Sequence, residues 1–196
     1  MKVIGITGGI GCGKSNVTKI IKRLGYRVFD ADAEYHRLLA YDTEAIMALG
    51  KFLPNTVVDG QIDRGRLRTM VFNDPSVLER IMEAIKPFLL KSRDRFIRFE
   101  RLHRNSIAFL DVPLLFEGDW YKECDHTITI YAPRFLQIQR VVARKGMSLE
   151  KFLFFEARQL GSFERNRMAD FVVKSGLSKG STCRQVKRIL RSINPK

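Results

Sequence analysis

The stretch that decides the fold lies near the start of the chain, where residues 3–15 read VIGITGGIGCGKS. Residues 3–7 form a short apolar run that predicts a buried strand. The residues from Gly8 to Ser15 match the pattern G-x-x-x-x-G-K-[ST], which is the phosphate-binding P-loop. Apolar residues then recur with i, i+3, i+4, i+7 spacing from Val17, which predicts a helix that ends near Gly25. A strand, a P-loop and a helix in this order predict a nucleotide-phosphate site.

Each residue type in this loop has a physical reason. Glycines let the backbone adopt positive φ and approach phosphate oxygens closely. The inward-facing N–H groups form an anion nest, to which the following helix adds its positive N-terminal end. We predict that Lys14 brings its ammonium group to the β- and γ-phosphates and that the Ser15 hydroxyl ligates Mg²⁺. The predicted nucleotide-binding residues of the loop are Gly8, Gly9, Gly11, Cys12, Gly13, Lys14 and Ser15.

The composition is that of a globular protein that binds anions. The 196 residues suit one compact domain with a small insertion. An apolar content of 45% and a charged content of 29% exclude wholesale disorder and collagen-like or coiled-coil structure. The 35 Lys and Arg residues against 21 Asp and Glu leave a net charge of +14. Such an excess points to nucleic acid, an anionic membrane face or a small phosphorylated ligand.

Neither a membrane span nor an export signal is expected. No apolar run approaches the roughly 18 residues that a spanning helix needs, and residues 3–6 alone are too few for a secretory signal. The cysteines are odd in number and far apart, at Cys12, Cys124 and Cys183, which argues against a disulfide framework and a zinc site. We therefore predict a cytoplasmic protein with reduced thiols and no membrane partner.

Beyond the loop, short apolar runs alternate with helical patterns. Further strands are predicted at residues 26–29, 107–112, 127–131 and 171–173, followed by an amphipathic helix near the C-terminus. Continuous apolar strands separated by helices indicate a parallel sheet that is covered on both faces. The predicted fold class is therefore α/β, a P-loop NTPase-like three-layer α/β/α arrangement with a parallel five-stranded sheet.

Two segments interrupt that alternation within the single domain predicted for residues 1–196. Residues from about 40 to 104 are helical in pattern and rich in charge, and the pattern is punctuated by Pro54, Gly60, Pro75 and Pro87. We expect this segment to be a helical insertion packed beside the sheet; the family resemblance described below implies that it binds the acceptor. Residues from about 134 to 165 follow the fourth strand and carry many arginines, which predicts a lid.

Three aspartates lie at the carboxyl ends of predicted strands, where the ligands of open parallel sheets bind. Asp111 ends the apolar run of residues 107–110, a Walker-B-like arrangement that could hold Mg²⁺ directly or through water. Asp30 and Asp32 stand two apart, so on an extended segment they would share one face, and either could take a proton from an attacking hydroxyl. Because Glu34 and a helical run follow, N-capping of a helix is the alternative for both.

A helix predicted over residues 134–145 carries a cluster of arginines. Arg140 and Arg144 lie four residues apart and would occupy one helical face. Arginines brought in by a lid stabilise the charge that spreads over a transferred phosphoryl group. A solvated basic face is the alternative interpretation. Surface or packing roles are predicted for the three histidines, which are His36, His103 and His126.

Taken together, these segments resemble the dephospho-CoA kinase family nearly from end to end. The matching segments in the first half are residues 6–15, Asp30-Ala31-Asp32, Asp59-Gly60, residues 62–67 and residues 72–74. Those in the second half are residues 111–117 (DVPLLFE), Gln137, Arg140, Arg144, Gln159, Arg165 and Ala169-Asp170. The P-loop is common to many enzymes, but the other patterns in this order are much more specific. Three positions depart from the family pattern: Lys86 before Pro87 replaces a histidine, Ser175 an asparagine, and Asn16 a threonine.

The resemblance implies ATP-dependent phosphorylation of the ribose 3′-hydroxyl of dephospho-CoA, the last step of coenzyme A synthesis, with ATP and Mg²⁺ as cofactors. It implies Asp32 as the catalytic base, Lys14 as the phosphate clamp and Arg140 as the lid arginine. It also implies that Ser15 binds the metal ion, with Asp111 acting through water. Further nucleotide-binding residues are Asn16, Arg144 and Ser175, and the substrate-binding residues are Asp32, Arg64, Asp111, Leu115, Phe116 and Glu117. The charge of +14 then suits two multiply anionic substrates.

Two other functions stay open from the sequence alone. One is a P-loop kinase of another small alcohol, nucleoside or nucleotide. The other is a nucleic-acid-binding P-loop protein, motivated by the basic segment 91–104 and by a basic tail of Arg184, Lys187, Arg188, Arg191 and Lys196. Against the latter, the sequence contains no aromatic-basic RNA-binding motif. We expect small-molecule partners, no specific nucleic acid, and a monomer or weak homo-oligomer.

Overall fold

A computed structural model describes residues 1–74 and 76–193, so Pro75 and Lys196, both named above, lie outside the described residues. The chain divides into two compact units. We call residues 1–29 together with 100–196 the sheet unit, and residues 30–99 the inserted unit. The sequence placed the insertion at about residues 40–104, and the inserted unit begins earlier, at the first residue of the Asp30-Ala31-Asp32 motif.

The strands are β1 (Lys2–Gly8), β2 (Val28–Asp30), β3 (Val57–Val58), β4 (Gln61–Ile62), β5 (Ile107–Asp111), β6 (His126–Tyr131) and β7 (Phe171–Lys174). Five of them form one sheet in the order β2-β5-β1-β6-β7. β1 pairs in parallel with β5 and with β6, and β6 pairs in parallel with β7. The predicted five-stranded sheet is therefore confirmed, with the P-loop strand β1 at its centre.

The α-helices are α1 (Lys14–Arg23), α2 (Ala31–Tyr41), α3 (Thr43–Gly50), α4 (Arg64–Asn73), α5 (Ser76–Leu102), α6 (Arg134–Val142), α7 (Leu149–Glu156), α8 (Ser162–Met168) and α9 (Lys179–Ile193). Short 3-10 turns lie at Pro54–Thr56 and Trp120–Glu123. None of the helices built from residues 1–74 and 76–193 combines the length and apolar character of a membrane-spanning helix.

The core of the sheet unit explains why the P-loop stands where it does. Ile4 and Ile6 of β1 are fully buried, and α1 covers them with its own buried Val17 and Ile21. These residues supply the apolar stripe that the sequence pattern predicted. Gly25, with φ of 90°, ends the helix as expected. The loop between β1 and α1 is thereby anchored at both ends by packed hydrocarbon.

The inserted unit contains a two-stranded hairpin that the helical pattern did not predict. β3 and β4 pair antiparallel, with Val57 opposite Ile62. Asp59 and Gly60 both have positive φ, of 48° and 73°, which is the backbone of a two-residue type I′ turn. The Asp-Gly pair is a strong hairpin signal, but each strand has only two residues, too few for an alternating pattern.

Pro87, which punctuates the helical pattern of the sequence, lies inside a helix. α5 runs unbroken for 27 residues with Pro87 inside it. Val77, Ile81, Ile85 and Leu89 recur every fourth residue and are all buried, so packing of this stripe outweighs the loss of one backbone hydrogen bond. Pro87 itself lies on the exposed side, where water can satisfy the freed carbonyl group.

Candidate functional site

The loop that joins β1 to α1 adopts a conformation that requires glycine. Gly11 and Gly13 have φ of 75° and 94°, in the left-handed region. A Cβ atom on Gly11 would also lie only 2.6 Å from the carbonyl oxygen of Gln137 in α6. The turn is closed by a hydrogen bond of 3.0 Å from the Cys12 N–H to the Gly9 carbonyl. α6 therefore packs directly against the backbone of the P-loop.

Lys14, the first residue of α1, forms an ion pair with Asp111, the last residue of β5. Asp111 is buried, and its other carboxylate oxygen accepts a hydrogen bond of 2.7 Å from the Thr18 hydroxyl. The register of the sheet places Asp111 opposite Ile6, close to the point where β1 enters the loop. The Lys14 side chain is 17% exposed, so an entering phosphate can compete with Asp111 for its ammonium group.

Arg140 binds the backbone of the P-loop from α6. Its Nη1 lies 3.3 Å from the carbonyl oxygens of both Gly11 and Cys12, and its Nη2 donates a hydrogen bond of 2.9 Å to the Ser175 carbonyl. The Ser175 hydroxyl donates a short hydrogen bond to the same Cys12 carbonyl. Arg140 and Ser175 therefore fix the shape of the loop, which supports a nucleotide site without showing a contact to phosphate.

The predicted helical face shared by Arg140 and Arg144 is absent. α6 ends at Val142, and Arg144 lies beyond it, fully outside the helix and exposed to solvent. The chain turns there because the Arg144 N–H bonds to the Val141 carbonyl, a tighter spacing than that of an α-helix, and Gly146 follows with φ of 77°. The expectation of a helix over 134–145 is therefore wrong at its C-terminal end.

The segment after α7 is attached to both the P-loop and the DVPLLFE segment. The Gln159 side chain accepts a hydrogen bond of 2.9 Å from the Ile10 N–H. The Leu160 N–H donates to the Glu117 carboxylate at 2.8 Å, and the Leu160 carbonyl accepts from Arg165 Nη1 at 3.0 Å. Glu117, predicted to bind substrate, thus holds the predicted lid against the sheet unit in this structure.

Leu115 and Phe116, also predicted to bind substrate, are buried. Leu115 has no exposed surface and packs on Gly5 of β1, where a Cβ atom would lie 2.8 Å from Leu115 Cδ2. Phe116 is 5% exposed and stacks obliquely near Tyr121. These two side chains support the segment that carries Glu117 and offer little surface to a ligand.

In the inserted unit, Asp30 and Asp32 do not share a face of an extended segment. α2 already begins at Ala31, because the Asp30 side chain caps it by accepting a hydrogen bond of 3.0 Å from the Ala33 N–H. Asp32 lies in the first turn of that helix and is exposed. The alternative of N-capping is therefore confirmed for Asp30, and the argument for Asp32 from strand periodicity is wrong.

Arg64 and His36, on two helices of the inserted unit, lie beside each other. Arg64 begins α4 and places Nη2 3.3 Å from His36 Nε2. Burial and the Arg64 charge lower the pKa of His36, while the charges of Asp32 and Asp30 oppose that shift. Asp32 and Arg64, two of the predicted substrate-binding residues, therefore both act on His36, for which the sequence predicted only a surface or packing role.

The P-loop and the end of β5 offer Mg²⁺ few protein ligands. The Ser15 hydroxyl is exposed at the start of α1, and Mg²⁺ in such sites takes few protein ligands and keeps several waters. Both Asp111 oxygens have protein partners, so Asp111 could act only through water while these persist. Among residues 1–74 and 76–193 there is no group of three or more His, Cys, Asp or Glu that could hold a metal ion. The other ligands would therefore come from the nucleotide phosphates.

Sequence reasoning missed Thr18, gave Gln159 no role beyond the family resemblance, and counted Arg165 only among the arginines in and after the predicted lid. Thr18 lies one helical turn after Lys14, so i, i+4 spacing on α1 could have identified it. The partners of Gln159 and Arg165 lie far away in the chain or in an irregular segment, and no local pattern reports such contacts.

Comparisons with known proteins agree with the resemblance. The family model described as CoaE, dephospho-CoA kinase, matches residues 2–179. The dephospho-CoA kinase of Ehrlichia canis is 34% identical over 100% of this chain and 98% of its own length. That of Mesorhizobium japonicum is 39% identical over 90% of this chain and 88% of its own.

A solved structure extends the comparison to the fold. The dephospho-CoA kinase from Campylobacter jejuni covers 97% of this chain and 96% of its own, with a TM-score of 0.71 at 24% identity. This likeness confirms the predicted P-loop NTPase-like α/β fold. With a family model matching nearly the whole chain, and with relatives above 30% identity along it, this protein belongs to the dephospho-CoA kinase family and is a kinase.

Proposed function

We propose that this protein transfers the γ-phosphoryl group of ATP to the ribose 3′-hydroxyl of dephospho-CoA, giving coenzyme A and ADP. The observation that carries the proposal is the P-loop of a dephospho-CoA kinase family member, with Lys14 held at its mouth by Asp111. In the reaction, the 3′-oxygen forms a bond to the γ-phosphorus, and the bond from that phosphorus to the bridging oxygen of ADP breaks.

On the nucleotide side, the loop glycines and the start of α1 bind the inner phosphates through backbone N–H groups. Lys14 exchanges Asp111 for the β- and γ-phosphates, and Thr18 keeps the released carboxylate hydrogen-bonded. Asn16, Arg144 and Ser175 complete the proposed nucleotide-binding set. Because Arg140 donates hydrogen bonds to the carbonyl groups of the P-loop, its proposed contribution is to keep the loop preorganised before the nucleotide binds.

On the acceptor side, Asp32 takes the proton of the 3′-hydroxyl as the oxygen attacks. Its exposed position in the first turn of α2 leaves the carboxylate accessible to a ligand. Arg64 is a proposed partner of an anionic group of the acceptor. Glu117 is proposed to act through the lid segment that it binds, rather than through a direct contact.

Mg²⁺ supplies charge neutralisation at the phosphates when it is bound, and Ser15 would hold it. The protein is proposed to act in the cytoplasm as a monomer or weak homo-oligomer, without a specific nucleic-acid partner. Its net charge of +14 then concentrates its two anionic substrates.

The test is to incubate the protein with ATP, Mg²⁺ and dephospho-CoA and to follow coenzyme A and ADP by chromatography. We expect stoichiometric formation of both, and no product when dephospho-CoA is replaced by adenosine or shikimate at equal concentration. ATP binding without coenzyme A formation, or a preference for another acceptor in kcat/KM, would contradict the proposal.

A further inference from the structure

Arg165 is a buried cation whose charge has no paired carboxylate. The residue is 4% exposed, and no carboxylate within the described part of the chain lies within ion-pair distance of its guanidinium group. Its Nη1 donates to the Leu160 carbonyl, but its buried Nε has no hydrogen-bond partner among those residues. Burial lowers the pKa of this group, an effect that the more distant Glu117 and Cys12 oppose.

Such an arrangement is costly unless it serves a ligand. An arginine stays charged in proteins, so the desolvation of its guanidinium group must be compensated by hydrogen bonds and by an opposite charge. Arg134, which lines the same cavity, is paired although its side chain is 57% exposed: two hydrogen bonds of 2.8 Å join it to the Glu156 carboxylate. Arg165 lacks that partner, which leaves its charge for an anion from outside the protein.

Arg165 also lies at the P-loop. A Cβ atom on Gly9 would stand 2.8 Å from Arg165 Nη2, so the guanidinium group lies directly against the backbone at this point of the loop. Gly9, Ile10, Gln137, Gln159 and Arg165 line one cavity of about 290 Å³. This volume is ample for a phosphate group, and the lining includes the polar side chains of Gln137, Gln159 and Arg165.

We propose that Arg165 contacts the γ-phosphoryl group of ATP. The start of α1 and the second half of the loop take the inner phosphates, so the cavity beside the first half of the loop receives the outermost one. There the guanidinium group of Arg165 binds the γ-phosphoryl oxygens, over which negative charge spreads during transfer. The inference rests on the proposed function for its ligand, and it gives Arg165 a direct contact, whereas Arg140 acts on the loop backbone.

The test compares a non-hydrolysable ATP analogue with ADP, which lacks the γ-phosphate. Calorimetric titrations with Mg²⁺ are run on the wild-type protein and on Arg165→Met. The variant should bind the analogue about tenfold or more weakly and ADP within about twofold of the wild type, because a lost bond to a charged group affects only the γ-phosphate. Unliganded Arg165→Met should melt no lower than the wild type, since an unpaired buried charge has been removed.

Two further variants keep the test decisive. Arg167→Met removes an exposed arginine from the same helix, α8, and should leave both affinities unchanged. If Arg165→Met does not fold, Arg165→Lys, which keeps the charge but loses the fork, must still lower the ratio of analogue to ADP affinity. Equal weakening of both ligands, or no weakening of either, would overturn the proposal. Neither titration uses dephospho-CoA, so failure of coenzyme A formation would be a separate result.

Discussion

The two units of this protein present their functional side chains in opposite ways. In the sheet unit, Lys14 is paired with a buried carboxylate and Arg140 is bonded to loop carbonyls. In the inserted unit, Asp32 and Arg64 occupy the first turns of α2 and α4 and are exposed. The proposed nucleotide-binding side chains of the sheet unit are thus held in place by protein partners, whereas the proposed acceptor-side residues of the inserted unit lie on an exposed surface.

This difference predicts how the two units respond to substitution. Changes among the buried polar groups of the sheet unit should affect folding and nucleotide affinity together, since each group also supports its neighbours. Changes at the exposed acids and bases of the inserted unit should affect chemistry or acceptor affinity with little effect on stability.

The largest effect is expected for Asp32→Asn. The amide cannot take the proton of the attacking hydroxyl, so kcat should fall by about 10²- to 10⁴-fold, the usual contribution of a general base. The melting temperature should stay close to that of the wild type because the side chain is exposed. Steady-state kinetics together with thermal melting measures both.

Asp30→Asn is the matched control for that substitution. Asparagine caps helices as well as aspartate does, so α2 should persist and turnover should be nearly normal. A large loss of kcat in Asp30→Asn with normal turnover in Asp32→Asn would reverse the two assignments.

Lys14→Ala should lower turnover by about 10²- to 10³-fold, as removal of one preorganised electrostatic donor does. It should also lower the melting temperature, because Asp111 keeps a buried carboxylate without its cation. The double variant Lys14→Ala/Asp111→Asn should recover the melting temperature but not the activity. Lys19→Ala, at an exposed position of the same helix, serves as the control. Normal activity in either Lys14 variant would show that Lys14 does not bind phosphate.

The smallest predicted effect is a dependence of acceptor affinity on pH through His36. Burial, helped by Arg64, lowers the pKa of His36, so the ring is neutral at pH 7 and can accept a hydrogen bond from Arg64. Acidification protonates the ring beside that guanidinium group, and the KM for dephospho-CoA should then rise about two- to fivefold. The wild-type rise should be absent in His36→Gln, measured between pH 5 and 8.

The lowered pKa of His36 also predicts how the free energy of unfolding changes with pH. The ordinary pKa of 6.5 applies in the unfolded chain, and the value in the folded chain is lower. The unfolded state therefore takes up the proton first, so the free energy of unfolding should fall as the pH drops below 6.5 and be unaffected by His36 above it. A wild-type stability that rises on acidification relative to His36→Gln would contradict this assignment.

The sequence was most informative where local pattern and burial agree. The apolar run before Gly8, the P-loop and the stripe from Val17 together predicted β1, the loop and α1, because each depends on neighbours along the chain. The sequence was less informative at element ends. Because Asp30 caps α2, the helix begins at Ala31, where strand periodicity implied an extended segment. The tight turn at Arg144 makes α6 shorter than predicted.

Long-range pairings explain the remaining gaps. Thr18 meets Asp111 across 93 positions, and Ile10 meets Gln159 across 149, so no window of sequence contains both partners. At Pro87 the local sequence was misleading instead, because the packing of α5 outweighed the helix-breaking tendency of proline. Residue types alone could suggest the chemistry of this protein, but the sheet and its crossovers decided which groups meet.

The most direct test of this division between the units is a pair of titrations, ADP and dephospho-CoA, into Asp32→Asn and Lys14→Ala. We expect Asp32→Asn to bind both ligands like the wild type while forming almost no coenzyme A, and Lys14→Ala to lose affinity for ADP while retaining dephospho-CoA. If Asp32→Asn instead loses ADP, or Lys14→Ala loses only dephospho-CoA, the assignment of nucleotide binding to the sheet unit and of chemistry to the inserted unit is wrong.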